Sequence, residues 1–249
     1  MFITLKYLNE KRMKDFVALI NQEKRLSLKS ASIETQKNGN VGVPFLNAGI
    51  HGNTTINGEY EENLTLEYKE FESLLVGRDD FFDFISNPDF DLSTIENGSI
   101  IKYQAPIIIP EEYDAYTIVN RMKKYLIENE TEEMEKGARE LLSTSLDTDD
   151  LKIPIYMEYK DDKFLASKIM KSMLKVPYEE FEDFENDDYN IVAKVNNKKK
   201  GSVEIYDPCK DFLSLGRSLR RTMKKENNEL ASIILNGEVI NIEVIAIYN

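Results

Sequence analysis

The chain predicts an α+β protein, with antiparallel or mixed sheets and flanking helices. Three observations carry that reading. Ser99 to Ile127 reads as a buried strand, Ile100 to Ile109, that turns at Pro110 into an amphipathic helix. A related strand-then-helix unit returns at Tyr189 to Lys225 after a similarly acidic approach. Strand-like segments also stand near both ends of the chain, where they can pair in one sheet.

Taken in order, Phe2 to Leu8 alternates well enough for a first strand, and Asn9 can cap the helix that follows. In that helix Met13, Phe16, Val17 and Ile20 fall at i, i+3, i+4 and i+7. From Arg25 to Thr35 the spacing of Leu26, Leu28, Ser30 and Ser32 reads as an extended, half-exposed strand. The segment 36–60 is rich in Gly and Asn, and its ordinary reading is a long loop or a hairpin pair turning at Asn57-Gly58. It also carries Val41, Val43, Phe45, Leu46 and Ile50, more apolar surface than an idle loop needs. Contact with a partner or ligand is therefore the competing reading, with Phe45, Ile50 and His51 as its residues.

Helices are expected around Tyr68 to Leu75 and Asp79 to Ile85, the second broken by Asn87-Pro88. Pro106 places the strand Ile100 to Ile109 at an edge or a bulge. Pro110 suits a first helical turn, and Glu111 and Glu112 complement the helix N-terminus. Tyr116, Val119, Met122 and Leu126 form that helix's apolar stripe, and Ser143 to Asp150 is the best linker. The expected division is therefore an N-terminal half, 1–146, and a C-terminal half, 147–249. In the second half Ile153 to Tyr159 is a short strand that leads through Asp161-Asp162 to Phe164 to Leu174, which fits helix or strand. Asn190 to Val195 is a strand turned back through Asn196 to Gly201 into Ser202 to Tyr206. Asp207-Pro208 opens the helix Cys209 to Lys225, and Asn236-Gly237 signals a closing hairpin.

Composition narrows the function. With 41% hydrophobic and 31% charged residues, the 249-residue chain is ordinary for a globular protein. The net charge of −13, from 32 basic against 45 acidic residues, disfavours coating a nucleic acid. No apolar run approaches the roughly 20 residues of a membrane helix. The opening lacks a secretory pattern and the single Cys209 suits a reducing compartment, so a cytoplasmic location is expected.

Catalytic signatures are scarce. A nucleophilic triad needs an imidazole, and the one histidine, His51, sits in the Gly/Asn segment without a G-x-S-x-G elbow. One His and one Cys do not build a zinc site, and neither a P-loop nor a G-x-G-x-x-G follows a strand. No catalytic residue, metal ligand or cofactor is therefore assigned. The acidic runs at 147–150 and 179–188 read as solvated loops, although carboxylates of this kind can assemble a magnesium site in three dimensions. The helix 209–225 is the most distinctive surface. Phe212, Leu215, Leu219 and Met223 share one face, while Arg217, Arg220, Arg221 and Lys224 share the other. Those cations either complement the helix C-terminus or bind an anion or an acidic partner.

Four segments together resemble a bacterial domain-of-unknown-function family. They are the opening Lys6-Tyr7-Leu8-Asn9-Glu10, the run from Gly98 to Val119, the strand Tyr189 to Val195 and the closing Val244 to Tyr248. Asn9 stands where that family tends to have Asp, and Asn249 where it tends to have Arg. The resemblance implies a shared fold and an association with mobile elements and phage defence; it carries over no catalytic residue. The expected function is a non-catalytic binding or assembly protein for a protein partner or a small anionic ligand, in anti-phage defence or phage counter-defence. The alternatives are a metal-dependent phosphoester or nucleotide hydrolase using clustered carboxylates, and a structural homo-oligomer.

Overall fold

The computed structural model describes residues 3–37, 63–113, 151–211 and 232–249. These fall into two compact units, one of residues 1–9 with 78–249 and the other of residues 10–77. The expected boundary near Asp147 lies outside the described residues.

The larger unit is built on a seven-stranded mixed sheet. Its strands are β1 (Leu5–Leu8), β2 (Phe81–Asp83), β3 (Ile100–Ala105), β4 (Lys152–Lys160), β5 (Lys163–Met170), β6 (Tyr189–Tyr206) and β7 (Ile233–Tyr248). The order across the sheet is β2-β3-β6-β7-β5-β4. β1 shares an edge of β7 with β5: β1 lies antiparallel to Ala246–Tyr248, and β5 lies parallel to Glu238–Asn241. The two chain ends therefore meet in the sheet, as their alternation predicts. β3 pairs with β6 through Ile100↔Lys194 to Ala105↔Tyr189, which joins the two strand-then-helix segments edge to edge.

The sheet is organised by one long ribbon, β6 with 18 residues and β7 with 16. Here the structure corrects two expectations. Asn196 to Gly201 and Asn236-Gly237 are not turns; the strands run straight through them, with Gly201 opposite Gly237. The polar residues that read as turn formers answer each other across the ribbon. Asn241 Nδ2 donates to Asn197 Oδ1 at 2.9 Å, and Ser202 Oγ donates to Asn236 Oδ1 at 2.8 Å. Phe164 to Leu174, ambiguous by pattern, is mainly β5, followed by a short 3-10 turn. Asp79 to Ile85 is not helical either: Phe81–Asp83 lies parallel to β3, and a turn follows.

The ribbon makes the sheet curl. Beyond β3, Ile108 bonds backbone to backbone with Tyr156 of β4, at 2.9 Å in both directions. The two outer edges thus touch at one bridge, leaving a seam in a sheet that does not close into a barrel. Inside lie Ile101, Ile107, Ile153, Ile155, Met157, Leu165, Val195, Val239 and Ile247, all at most 1% exposed. The acidic run 179–188 is amphipathic. Phe181 and Phe184 are buried, with Phe184 stacked on Tyr189 at 4.0 Å, while Glu179, Glu180, Glu185 and Asp188 face solvent.

The smaller unit contains α1 (Glu10–Lys37) and α2 (Leu64–Leu75). α1 absorbs Arg25 to Thr35, which is therefore helix and not strand. Adding residues to an existing helix is easy once it is nucleated, and this overrides a weak period of two. Asn63 caps α2, its side chain accepting from Leu66 N at 3.1 Å. The stripe expected on α1 is the covered one: Met13 and Ile20 are buried, and Phe16 packs against Phe71 of α2.

Candidate functional site

The residues singled out from the sequence, Phe45, Ile50, His51, Arg217, Arg220, Arg221 and Lys224, lie outside the described residues. Of the expected helix Cys209 to Lys225, the structure describes only the residues up to Asp211. Pro208–Asp211 is helical, and Lys210 N and Asp211 N both donate to Asp207 O. The Asp211 side chain is 1% exposed, bonded to Lys168 Nζ, with Lys152 Nζ at 3.7 Å and Asp207 N donating to it at 3.0 Å. A buried carboxylate needs such company, since desolvation penalises an unpaired charge heavily. Tyr206 lies under Lys168 and meets Tyr113 edge-on at 5.5 Å. This cluster fastens the Pro208–Asp211 turn to β4 and β5, which is an anchoring role.

The feature with the character of a binding site is a recess of about 360 Å³ at the open seam of the sheet. Its walls are the rings of Phe84, Phe90, Tyr103 and Tyr159, with Asp89 and Asp91 among the lining residues. Four separate elements deliver them. Phe84 follows β2 directly, its N–H bonded to Lys102 O of β3 at 2.9 Å. Asp83 then folds the chain back, its carboxylate accepting from Ile85 N, Ser86 N and Ser86 Oγ. This turn brings Phe90 over the strands. Phe90 meets Phe82 at 5.7 Å and Phe84 at 5.8 Å, both edge-on, and Phe84 meets Tyr103 of β3 edge-on at 5.9 Å. Edge-to-face contact is the favourable arrangement of ring quadrupoles, so the wall is a packed unit.

The lip is pinned as firmly. Asp91 Oδ1 accepts from Ser93 N at 2.9 Å and starts the 3-10 turn Leu92–Thr94, whose carbonyls Leu92 O and Ser93 O accept from Lys198 Nζ of β6. These hydrogen bonds hold the Asp91 carboxyl below the usual carboxylate range, with Lys160 and Lys163 adding to the effect. Leu92 is buried beneath.

From the other edge comes Tyr159, at a bulge. β4 and β5 pair Glu158 with Phe164 and then Lys160 with Lys163, which leaves Tyr159 without an opposite residue. A bulge of this kind re-aims a side chain out of the ladder. The Tyr159 hydroxyl is buried and has no hydrogen-bond partner. Burial, then the charges of Glu238 and Asp91, push its pKa up to about 12. Tyr103 is raised as well, by burial and then by Asp188. The recess is lined by four rings, two carboxylates and the Lys160 ammonium, with the unsatisfied Tyr159 hydroxyl in its wall. Such a surface binds by shape, π-faces and charge.

A second recess of about 360 Å³ lies by the Ile108–Tyr156 bridge, with Glu111, Glu112 and Glu185 beside Tyr156 and Ile234. Tyr156 is raised there, by burial first and by Glu185 and Glu112 next. Among the described residues, no group of three or more His, Cys, Asp or Glu side chains could hold a metal ion.

The aromatic recess escaped the sequence reading because its residues stand at 84, 90, 103 and 159. The available signal was the density of Phe81, Phe82, Phe84 and Phe90 around Asn87-Pro88. Among known proteins, a family model described as a domain of unknown function, DUF6414, matches residues 5–248. No curated protein matches, and no solved structure matches.

Proposed function

For this chain, which belongs to the DUF6414 family of domains of unknown function, we propose the role of a non-catalytic binding or assembly protein that recognises a ligand or partner through the seam of its curled sheet. The observation that carries the reading is the buried, partnerless Tyr159 hydroxyl in an aromatic recess. Binding sites are typically concave and mostly apolar, with a few polar groups that select orientation. The basic residues Arg217, Arg220, Arg221 and Lys224 are proposed as a second contact, for an acidic partner or a small anion. A cytoplasmic setting, in phage defence or counter-defence, is part of the same proposal. Its support is the sequence resemblance and the lack, among the described residues, of a helix long and apolar enough to cross a membrane.

The test is a ligand-observed NMR screen of metabolites and short peptides against the full chain and a Phe84→Ala/Phe90→Ala variant. Hits that are lost in the variant are expected. Turnover of a nucleotide or phosphodiester that depends on added Mg²⁺ or Mn²⁺ would overturn the reading in favour of the hydrolase alternative. Charge reversal at Arg217, Arg220 and Arg221 to Glu separately tests the second contact, with loss of partner binding in a folded protein as the expected result.

A further inference from the structure

We propose that the aromatic recess receives an alkylammonium group, carried by a small molecule or by a lysine side chain. This assignment rests on the binding role proposed above and names the chemistry of its ligand.

Two independent features select a cation. The first is the wall. Phe84, Phe90, Tyr103 and Tyr159 present four rings within one recess of about 360 Å³, large enough for a small headgroup. The faces of such rings are the negative ends of their quadrupoles and attract an ammonium group, most strongly where water is displaced. The second is the rim. Asp89 and Asp91 line the recess, and Glu238 and Asp91 both act on Tyr159 while Asp188 acts on Tyr103. A ligand in the recess meets the carboxylates of Asp89 and Asp91, which repel an anion and draw in a cation.

Lys160 opposes entry most directly, while Lys163 also acts on Asp91 and Lys198 is bonded to the lip carbonyls. Lys160 lies on the same lining, and its charge acts on Asp91. It is exposed, so it can leave the rim without unfolding the strand that carries it. Lys160 is therefore a competitor for the proposed ligand. This makes the sign of its replacement diagnostic: loss of the lysine tightens a cation and weakens an anion.

The experiment uses the full chain with ¹³C-labelled aromatic side chains. Choline, N-acetyl-lysine methylamide and 3,3-dimethylbutan-1-ol, the neutral carbon analogue of choline, are titrated in turn. At least one cation should move the Phe90 and Tyr159 ring signals saturably, and the neutral analogue should bind about tenfold more weakly. A response to choline alone identifies a small-molecule headgroup, and a response to the lysine amide alone identifies a protein side chain. Lys160→Gln should tighten the responding cation about threefold. Phe90→Leu should weaken it about tenfold; Phe90 is 44% exposed, so that variant keeps its fold. A neutral analogue that binds as tightly as the cations, or weaker cation binding by Lys160→Gln, overturns the assignment and leaves the recess a binding site for something else. Silence of the recess signals towards all three probes overturns it too. The broader binding role falls only if the library screen also finds no ligand that depends on the recess.

Discussion

Gly237→Ala is the sharpest test of how the sheet is put together. Gly237 sits inside β7 at φ +146°, in a region that only glycine occupies readily. The turn between β4 and β5 presses directly on it. Asp162, itself at φ +55°, directs its carbonyl at the strand and accepts from Glu238 N at 2.9 Å. A Cβ on Gly237 would stand 2.1 Å from Asp162 O and 2.9 Å from Asp162 C, where ordinary contact needs roughly 3.5 Å. Neither neighbour is a flexible side chain, so the β4–β5 turn must back away and the Glu238 hydrogen bond must stretch or break. Backbone strain of about 1–3 kcal/mol and a lost hydrogen bond of about 0.5–1.5 kcal/mol sum to about 2–4 kcal/mol. The control lies directly opposite. Gly201, at φ +95°, would have nothing within 4 Å of an added Cβ, so Gly201→Ala meets only the backbone strain, about 1–3 kcal/mol, without the clash or the lost hydrogen bond. For a chain of this size each kcal/mol lowers Tm by about 2–4 °C. Thermal unfolding followed by circular dichroism should then place Gly237→Ala several degrees below Gly201→Ala. Equal losses for the two variants would refute the docking of the turn on the strand.

Three further outcomes follow from the same structure. Asp211→Ala should cost about 3 kcal/mol in urea unfolding, because it leaves Lys168 and Asp207 N facing a vacated, buried position; a change under about 1 kcal/mol would show that the cluster anchors nothing. Tyr7 is 2% exposed and burial holds its pKa up at about 12, so the folded state keeps a proton that the unfolded state releases above pH 10. Its contribution is complete below pH 10 and is lost as pH rises towards 12, about 2–3 kcal/mol in all; Tyr7→Phe should flatten the alkaline fall in stability, measured at about pH 9 and about pH 11.5, by that amount. Asp83→Ala removes three acceptor contacts from the turn that carries Phe90. It should cost about 1–2 kcal/mol and weaken any ligand of the aromatic recess, while binding unchanged in a destabilised protein would separate the turn from the site.

The order and kind of most elements could be read from local pattern, and the two misread turns share one cause. Leu5–Leu8, the helix around Tyr68 to Leu75 and the strand Ile153 to Tyr159 follow from the local pattern of their own residues. Asn236-Gly237 and Asn196 to Gly201 have strong turn chemistry, yet each is straightened by the other. Gly201 and Gly237 stand opposite each other, both at a positive φ that glycine's missing Cβ permits, and Ser202–Asn236 and Asn197–Asn241 satisfy one another across the ribbon. That partner lies 34 to 44 residues away, so no local window contains it. The aromatic recess was hidden for the same reason, since Phe90 and Tyr159 come from opposite edges of the sheet.

The position of that recess has a geometric origin. Strands twist, and two strands paired over nearly their whole length accumulate the twist into a coil. β6 and β7 are such a pair, and every other strand hangs from one of their two outer edges: β3 and β2 beside β6, and β1, β5 and β4 beside β7. Coiling the ribbon carries these two wings towards each other until Ile108 bonds Tyr156. A single bridge zips the seam at one point only, and the two recesses lie beside it, one acidic and one aromatic. Neither is floored by a continuous ladder, which is why Tyr159 leaves its strand at a bulge and still buries its hydroxyl. A ligand that joins Phe90 on one wing to Tyr159 on the other would do across the seam what the missing hydrogen bonds of a closed barrel would have done. Its binding should therefore slow amide exchange at Ile108 and Tyr156 together. Protection confined to the 84–92 turn would show instead that the ligand touches one wing alone.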